Sequence, residues 1–240
     1  MHTPRLLLTG SLLGCLLVNA SPPAHAAADL ATIQEILDGD QLYIDSKKAK
    51  VKETAQTPQV ISTGDSRGQL QFSGNAVGRI NRQSLLKLGS SCFLLNKGQI
   101  LVSGRQDGCT RSNRMSVRGT NYLLEVDADG NADLAVLEGS VVVESTEGKE
   151  EPVTVEAGQR LKLNPAGVVL SVLKLVAGDY QTILAGPMFS GFTQPVPGFS
   201  QLERYLNLNV PGVNLPLSPS IRVPIPTTPT TPPISIPRFF

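Results

Sequence analysis

The sequence predicts an all-β protein: a single β-sandwich or rolled β domain of antiparallel hairpins, followed by two short helices and a proline-rich tail. Apolar residues alternate with polar ones through Tyr122, Leu124 and Val126, and an Asp129-Gly130 turn follows, which is a strong hairpin signal. Similar runs recur about every 8 to 12 residues with glycine turns between them, which favours a sandwich or barrel over βαβ units. Finally, 12 of the 18 prolines lie in the last 55 residues, so a separate tail is expected there.

These observations divide the chain into four predicted parts. They are a signal peptide (1–26), a β domain (27–172), a helical extension (173–209) and a flexible proline-rich tail (210–240).

Residues 1–26 have the features of a secretory signal peptide. Arg5 supplies the positive start, residues 6–18 form a short apolar core, and Ala24-His25-Ala26 is a small-x-small cleavage site at Ala24 and Ala26. A membrane-spanning helix needs about 20 apolar residues, more than this core contains. The sequence therefore predicts a periplasmic or extracellular protein with no integral membrane span in its mature chain.

An alternative is a lipoprotein. Residues 12–15, Leu-Leu-Gly-Cys, resemble a lipoprotein box in which Cys15 would be acylated. Apolar residues 16–18 follow at once and place Cys15 inside the apolar core, which favours ordinary cleavage. The mass of the mature protein distinguishes a lipoprotein acylated at Cys15 from a chain cleaved after Ala26.

Cleavage after Ala26 removes both histidines, His2 and His25. A Ser-His-Asp or Cys-His site needs an imidazole to accept a proton, so these classes of catalysis are excluded, as are histidine metal sites. Losing Arg5 brings the formal charge from +1 to zero, which argues against nucleic acid and against a polybasic membrane contact. No phosphate-binding or dinucleotide glycine motif is present, and no cofactor is expected.

The first predicted unit of the β domain is a strand at 32–37, a turn at Asp38-Gly39-Asp40, and a second strand at 41–45. Four lysines follow, at positions 47, 48, 50 and 52. They indicate either a patch for acidic partners or, as we favour, a charged edge strand that resists pairing with other sheets.

Cys92 and Cys109 are the two cysteines of the predicted mature chain. In an oxidising compartment such a pair most simply forms a disulfide. A redox or metal pair is the alternative, but there is no C-x-x-C spacing and no third ligand for zinc.

Four arginines lie near the second cysteine in sequence, and they are Arg105, Arg111, Arg114 and Arg118. They indicate either an anion-binding site or a solvated loop in which they neutralise acids such as Asp107.

The central stretch, residues 116–144, is predicted to be one hairpin whose return strand runs from Leu134 through Val143. The acids at 127–133 resemble a calcium loop, but an EF-hand needs glycine at its sixth position, where this chain has Ala132. Flanking strands instead of helices make a hairpin tip the better interpretation.

After the central stretch, a closing hairpin is predicted at 153–163, and a last strand within 168–176 leads into the helices. The first helix is expected to begin at Gly178 or Asp179 and to stop at Gly186-Pro187. The second is expected to begin at a Ser200 cap with Glu203 completing a capping box. The tail would be a spacer, a docking peptide or a disordered terminus.

The domain resembles FecR-type domains. The resemblance depends on the order and spacing of several short motifs, each of which is weak alone. The motifs are Ile61-Ser-Thr-Gly64, Ser66-Arg67, Leu70-Gln-Phe72, Val117-Arg118-Gly119-Thr120, Leu124-Glu-Val126, Val136-Leu-Glu138-Gly139-Ser-Val141 and Val155-Glu-Ala157-Gly158-Gln159. It implies an all-β, non-enzymatic periplasmic module. FecR relays the state of an outer-membrane receptor to a cytoplasmic sigma factor, but this chain has no retained span with which to relay a signal inward alone.

The leading functional hypothesis is an exported binding module that contacts another envelope protein in signalling or regulation. The alternative is a cell-envelope scaffold or glycan-binding module, although the absence of Trp argues against a sugar-stacking cleft. A third hypothesis is a hydrolase that uses paired carboxylates, with Glu125 and Glu138 as candidates.

Overall fold

The computed structural model describes residues 30–148 and 150–216. The predicted signal peptide, the cleavage residues Ala24 and Ala26, Cys15, and most of the tail, 217–240, lie outside the described residues. In the described part the strands are β1 (Leu30–Leu37), β2 (Leu42–Ile44), β3 (Lys47–Lys48), β4 (Thr54–Gln56), β5 (Val60–Thr63), β6 (Arg67–Phe72), β7 (Val77–Ile80), β8 (Leu85–Leu88), β9 (Phe93–Gly104), β10 (Gly108–Cys109), β11 (Asn113–Val117), β12 (Thr120–Val126), β13 (Ala132–Glu138), β14 (Ser140–Ser145), β15 (Val153–Glu156), β16 (Gln159–Leu163) and β17 (Val169–Lys174). The helices are α1 (Ala177–Leu184) and α2 (Phe199–Asn209).

The strands form two sheets, which we call sheet A and sheet B. Neighbours in sheet A follow the order β4-β1-β6-β7-β9-β12-β13-β16-β17, and all pairs are antiparallel. Neighbours in sheet B follow the order β3-β2-β5-β8-β9-β10-β11-β14-β15, with one parallel pair, β9 and β10. The prediction of an all-β fold is confirmed.

Strand β9 belongs to both sheets because it bends at Gly98. Its first half pairs with β8 in sheet B, and its second half, from Gly98 onward, pairs with β12 in sheet A. Gly98 has φ +91°, and a Cβ atom there would lie 2.5 Å from the Cα of Ser84. Glycine is therefore required for the bend by both conformation and space.

The main core lies between the two sheets. It takes inward side chains from both, including Ile61 and Leu86 of sheet B and Tyr122, Leu124 and Val126 of sheet A. The last three are the residues whose alternation predicted the central strand, and all are buried as expected, whereas Glu125 is exposed. Period-two alternation thus identified the inner face of β12 correctly.

A second core covers the outer face of sheet A. Leu101, Leu123 and Leu137 contribute from the sheet, and the two helices contribute residues such as Tyr180 and Leu206. The helices, too short to be stable alone, thus gain their stability from packing on the sheet. Sheet A is therefore covered on both faces across its middle strands.

The predicted cap of the second helix is wrong. Helix α2 begins at Phe199 with Gly198 as its N-cap residue, and no side chain caps it. Ser200 lies inside the helix, so the capping box with Glu203 does not form. The Gly198 N–H instead donates to Ser103 Oγ on β9 at 2.9 Å, so tertiary contact replaces the local cap.

Two of the predicted hairpins are connections between the two sheets, and the central hairpin forms between β12 and β13 with a shorter return strand than predicted. The 38–40 turn joins β1 in sheet A to β2 in sheet B, and these strands pair with others, not with each other. The 157–158 turn likewise joins β15 in sheet B to β16 in sheet A. The predicted return strand of the central hairpin is two strands, β13 in sheet A and β14 in sheet B, with Gly139 between them.

Two buried tyrosines make the stability of the fold sensitive to high pH. The hydroxyl of Tyr122 donates to the Gln106 carbonyl at 2.8 Å, and that of Tyr180 to the Leu137 carbonyl at 3.1 Å. Burial raises the pKa of both phenols well above the ordinary value. The unfolded chain loses these protons near pH 10 while the folded chain keeps them, so we expect the free energy of unfolding to fall as the pH rises above about 10.

The measurement is an absorbance titration of the tyrosines in native buffer and in urea. Two of the four tyrosines should ionise in native buffer only when the protein unfolds. The variants Tyr122→Phe and Tyr180→Phe should each remove one late-ionising group. Identical titration curves in the two solvents would contradict the prediction.

Candidate functional site

The FecR-like motif residues lie at corners where the chain passes between the sheets. Val117 ends β11 in sheet B and is buried in the main core, and Thr120 begins β12 in sheet A. Arg118 and Gly119 form the connection, and Gly119 has φ +61°. The Thr120 hydroxyl donates to the Ser140 carbonyl at 2.9 Å and ties this corner to the next one.

The other motif pairs occupy equivalent corners. Glu138 and Gly139 connect β13 to β14, and a Cβ atom on Gly139 would lie 3.0 Å from the Cα of Thr120. Ala157 and Gly158 connect β15 to β16, and a Cβ atom on Gly158 would lie 2.9 Å from the hydroxyl of Tyr205 in α2. The glycines, with φ of 86° and 78°, therefore allow tight corners and close packing.

The motif corners also hold the start of α2. Asn121 Nδ2 donates to Glu138 Oε2 at 2.8 Å and to the Gly198 carbonyl at 2.9 Å. A small cavity of about 170 Å³ remains between these groups and Gln201. Asn121, which follows the motif residue Thr120, thus joins Glu138 of the next corner to the start of α2.

Cys92 and Cys109 form the predicted disulfide, with Cα atoms 5.9 Å apart. It links the start of β9 to β10. Nearby, Arg114 donates to Asp107 at 2.8 Å, as the solvated-loop interpretation expects. Arg105, Arg111 and Arg118 are exposed.

Reducing this disulfide is expected to lower the free energy of unfolding by about 3 kcal/mol, because the bond closes a loop with a sequence separation of 17 residues. Urea unfolding with and without reductant measures the difference, and the double variant Cys92→Ser, Cys109→Ser should match the reduced protein. Thiol titration of the denatured, unreduced mature protein should find no free thiol. Two free thiols would contradict the bond.

An arginine clamp, which we define as Arg67 and Arg79, holds the connection between the helices against sheet A. Arg67 donates to the carbonyls of Pro187 and Ser190, the latter at 2.9 Å, and forms an ion pair with Asp38 at 2.5 Å. Hydrogen bonding to Arg67 is the main reason that the pKa of Asp38 lies below its ordinary value.

Arg79 is the more deeply buried member of the clamp, with 2% of its surface exposed. Its guanidinium donates to the carbonyls of Met188 at 2.9 Å and Gln194 at 3.3 Å, and to Gln69 Oε1 at 2.9 Å. It also lies 4.3 Å from the ring centroid of Phe192. Burial lowers the pKa of Arg79 to about 10.

Together these contacts fix residues 187–195 mostly through the backbone. Glu35 completes the arrangement by accepting the backbone N–H groups of Thr193 and Gln194 at 3.1 to 3.2 Å. This cluster was not predicted from the sequence. Arg79 follows an ordinary strand pattern, and the two backbone carbonyls to which it donates lie more than 100 residues away in sequence.

The hairpin tip at 127–131 is confirmed as a turn. The Asp127 carboxylate accepts the N–H groups of Asp129 and Asn131, each at 2.9 Å, and the side-chain amide of Asn131 at 2.8 Å. The Asn131 side chain is the main reason that the pKa of Asp127 is lowered. These bonds stabilise the turn.

A polar row crosses the uncovered end of the outer face of sheet A. Gln99 donates to Glu125 at 3.0 Å, and Asp133 forms an ion pair with Arg160 at 2.8 Å. A groove of about 420 Å³ runs over this row beside Lys162 and Leu170. Its carboxylates interact with neighbours in the sheet.

Strand β17 is an apolar edge of sheet A. It pairs with β16 on one side. Five large apolar residues in β17 or within two residues of its ends are exposed to solvent. With their exposed fractions, they are Val168 (38%), Leu170 (61%), Val172 (44%), Leu173 (50%) and Val176 (63%). These are five of the nine large apolar residues exposed in the described part of the chain, so the exposure is concentrated in one segment.

The second side of β17 presents unpaired backbone groups. The Leu175 N–H donates to the Gly158 carbonyl at 2.7 Å, so Leu175 and Leu173 bond toward β16. Because backbone groups alternate in direction along an antiparallel strand, Val172 and Lys174 direct their N–H and carbonyl groups outward. In the described ranges no hydrogen bond satisfies these outward groups.

The contrast with β3 shows how unusual this edge is. Strand β3, at the edge of sheet B, consists of Lys47 and Lys48, both exposed, and Lys48 pairs with Asp40 at 2.6 Å. The charged-edge interpretation of these lysines fits this position. Strand β17 carries a single charge, Lys174, and lacks that protection.

Similarity to known proteins is found among solved structures. No family model matches the chain, and no curated protein matches it. Two crystal structures of a Parabacteroides distasonis protein assigned as an anti-sigma factor, at 2.50 and 1.65 Å resolution, are similar with 15% identity and a TM-score of 0.44. The similarity covers 62% of this chain and 72% or 73% of that chain. At this level it assigns neither family nor function, so the FecR resemblance remains a prediction from motifs.

The described residues contain no helix of the length and hydropathy needed to cross a membrane. The disulfide is compatible with an exported protein.

Proposed function

We propose that this chain is an exported, non-catalytic binding module that docks an extended segment of another envelope protein onto the outer edge of β17. The single observation that carries the proposal is the outward, unpaired backbone of Val172 and Lys174 on a strand with exposed apolar side chains. An edge of this kind is the usual template for strand addition.

The chemistry of the edge specifies the partner segment. Main-chain groups of an added strand would bond with Val172 and Lys174, which needs no particular sequence. Its side chains would contact Val172 on the inner face and Leu173 on the outer face, since these two residues face opposite sides of the sheet. An extended segment with apolar residues on both faces and few charges therefore fits best.

Catalysis has no part in the proposal. The two carboxylates considered for hydrolysis lie apart, because Glu138 pairs with Asn121, four residues along β12 from Glu125. Four residues of a strand span about 13 Å, whereas glycosidase carboxylates lie about 5 to 10 Å apart. The mature chain also contains no histidine if cleavage follows Ala26.

Site-specific photocrosslinking in cells tests the proposal. A photoreactive amino acid replaces Leu170 or Leu173 on β17. In matched controls it replaces Leu208, an apolar residue 75% exposed on α2, or Lys48 on the β3 edge. We expect both β17 positions to give one covalent adduct of the same mass and the controls to give none.

The adduct supports the proposal only if it depends on the backbone edge. It should disappear when Val172 is replaced by proline in the same chain, since proline removes the outward N–H. An adduct of equal yield from Leu208, or one that persists in the proline variant, would overturn strand addition at β17.

A further inference from the structure

We infer that the cavity at the start of α2 is a binding site for a primary carboxamide, the polar group of asparagine and glutamine side chains. The cavity has a volume of about 170 Å³ and lies where two motif corners meet the helical layer. Its lining includes Gly119, Thr120, Asn121 and Glu138 from the corners, and Gly198 and Gln201 from the start of α2. No residue of β17 lines it, so the inference does not rest on the proposed function.

The wall of the cavity contains a buried acceptor that lacks a donor. Asn121 is 1% exposed, and its Nδ2 donates to Glu138 Oε2 at 2.8 Å and to the Gly198 carbonyl at 2.9 Å. Because both neighbours are acceptors, the amide is fixed in this orientation. Asn121 Oδ1 accepts a hydrogen bond from no described residue. A buried acceptor is costly to leave unpaired, so this oxygen points to a ligand that donates.

Glu138 supplies a second acceptor close to the first. One of its carboxylate oxygens accepts from Asn121 Nδ2, and an ionised carboxylate can accept further bonds. Oδ1 and Nδ2 of Asn121 belong to one amide, so the unpartnered oxygen and the carboxylate lie on neighbouring parts of the same wall. An –NH₂ group has two hydrogens and would donate one to each acceptor.

The start of α2 supplies donors. This helix is 11 residues long, and no side chain caps its N-terminus. The N–H groups of Gly198 and Phe199 donate to Ser103 Oγ and to the Val196 carbonyl. Among the described residues, nothing accepts from the N–H groups of Ser200 and Gln201. N–H groups in the first turn point out of the helix end, where a carbonyl oxygen of the ligand would accept from them.

The charges around the cavity favour a neutral ligand group. The positive end of the α2 dipole opposes an ammonium or guanidinium group. Arg105 and Arg118, which are exposed and adjoin lining residues in sequence, oppose it as well. The Glu138 carboxylate and the Asn121 oxygen oppose an anion. A primary carboxamide is neutral, and it offers two N–H donors to these acceptors and a carbonyl oxygen to the helix.

Titration of the mature chain with acetamide, followed by NMR, tests the inference. We expect saturable shifts of the Ser200 and Gln201 backbone N–H signals and of the Asn121 side-chain signals. Acetone lacks the N–H donors, acetate is an anion, and methylammonium is a cation without an acceptor. Each of the three should bind at least about tenfold more weakly than acetamide. Acetamide that binds no more tightly than these probes would overturn the inference.

Substitutions at Gln201 test the location of the site. This residue is exposed and lines the cavity, so a larger side chain fills the cavity without disturbing either core. Gln201→Phe should abolish the acetamide shifts, whereas the matched control Gln201→Ala should retain most of them. The signals of β12 report whether both variants stay folded. Acetamide shifts of unchanged size in Gln201→Phe would overturn the site.

Two further probes identify the source of the carboxamide. Free L-glutamine represents a small molecule, and a peptide with one glutamine and an N-methylated C-terminus represents a segment of a protein. Tighter binding of the peptide assigns a protein segment, and glutamine that binds at least as tightly assigns a small molecule. Binding of neither would overturn the inference. Strand addition at β17 is measured separately, by the proline-sensitive adduct, and none of these results removes it.

Discussion

Replacing Arg79 with methionine is expected to lower the free energy of unfolding by about 3 kcal/mol and to release residues 187–195 from sheet A. The substitution would leave the buried carbonyls of Met188 and Gln194 without their donor, at about 1 to 3 kcal/mol each, and remove the cation–π contact with Phe192. Methionine carries no charge, so the folded protein no longer has to bury the guanidinium charge of Arg79. This gain offsets part of the lost stability.

Urea unfolding measures the stability change, and amide exchange of residues 187–195 reports the release. Arg82→Met is the matched control. The Arg82 side chain is 49% exposed and pairs with Asp38, so its loss should cost less than about 1 kcal/mol. An Arg79→Met protein as stable as the parent, with unchanged exchange in this segment, would show that the clamp does not hold the helical layer.

Replacing Val172 with proline is expected to reduce the yield of the β17 adduct by more than about tenfold while leaving the fold intact. The proline lacks the outward N–H, but the bonds between β17 and β16 run through Leu173 and Leu175 and are retained. We therefore expect the free energy of unfolding to change by less than about 1 kcal/mol.

Val172→Thr is the control for this prediction, since it keeps the backbone donor and a β-branched side chain. It should retain most of the adduct. If threonine and proline reduce the yield equally, then the side chain, not the backbone edge, determines binding.

Much of the β-structure could be predicted from alternation alone. The buried positions of β12 followed directly from their spacing, because a strand with one buried face repeats every two residues. The disulfide followed from the two cysteines and the expected compartment. Strand β17 was predicted too, although its apolar residues do not alternate regularly with polar ones. The alternation is missing because this edge strand has apolar residues on both of its faces.

The connections between strands could not be predicted from local signals. The turns at 38–40 and 157–158 resemble hairpin turns because each contains a glycine, which suits any tight reversal. Whether the next strand pairs with the last one or crosses to the facing sheet depends on long-range packing. At Gly139, for example, the crossing is set by contact with Thr120, 19 residues earlier in the chain.

The arginine clamp was missed for a similar reason. The distant acceptors of Arg79, on Met188 and Gln194, are backbone carbonyls. Every residue has a backbone carbonyl, so the sequence does not show which ones an arginine binds. The motif residues, by contrast, were singled out from the sequence, as marks of a family resemblance that stays a prediction. Their observed contacts are corners and hydrogen bonds that shape the domain.

The most direct test of the central claim is residue-resolved amide exchange of the mature chain, measured with and without the purified partner identified by crosslinking. Strand addition predicts that the N–H groups of Val172 and Lys174 exchange at least about tenfold more slowly in the complex, with no change at Lys48 on the opposite sheet edge. Protection confined to the motif corners around Gly119 and Gly139, or to α2, with Val172 and Lys174 unchanged, would contradict the claim.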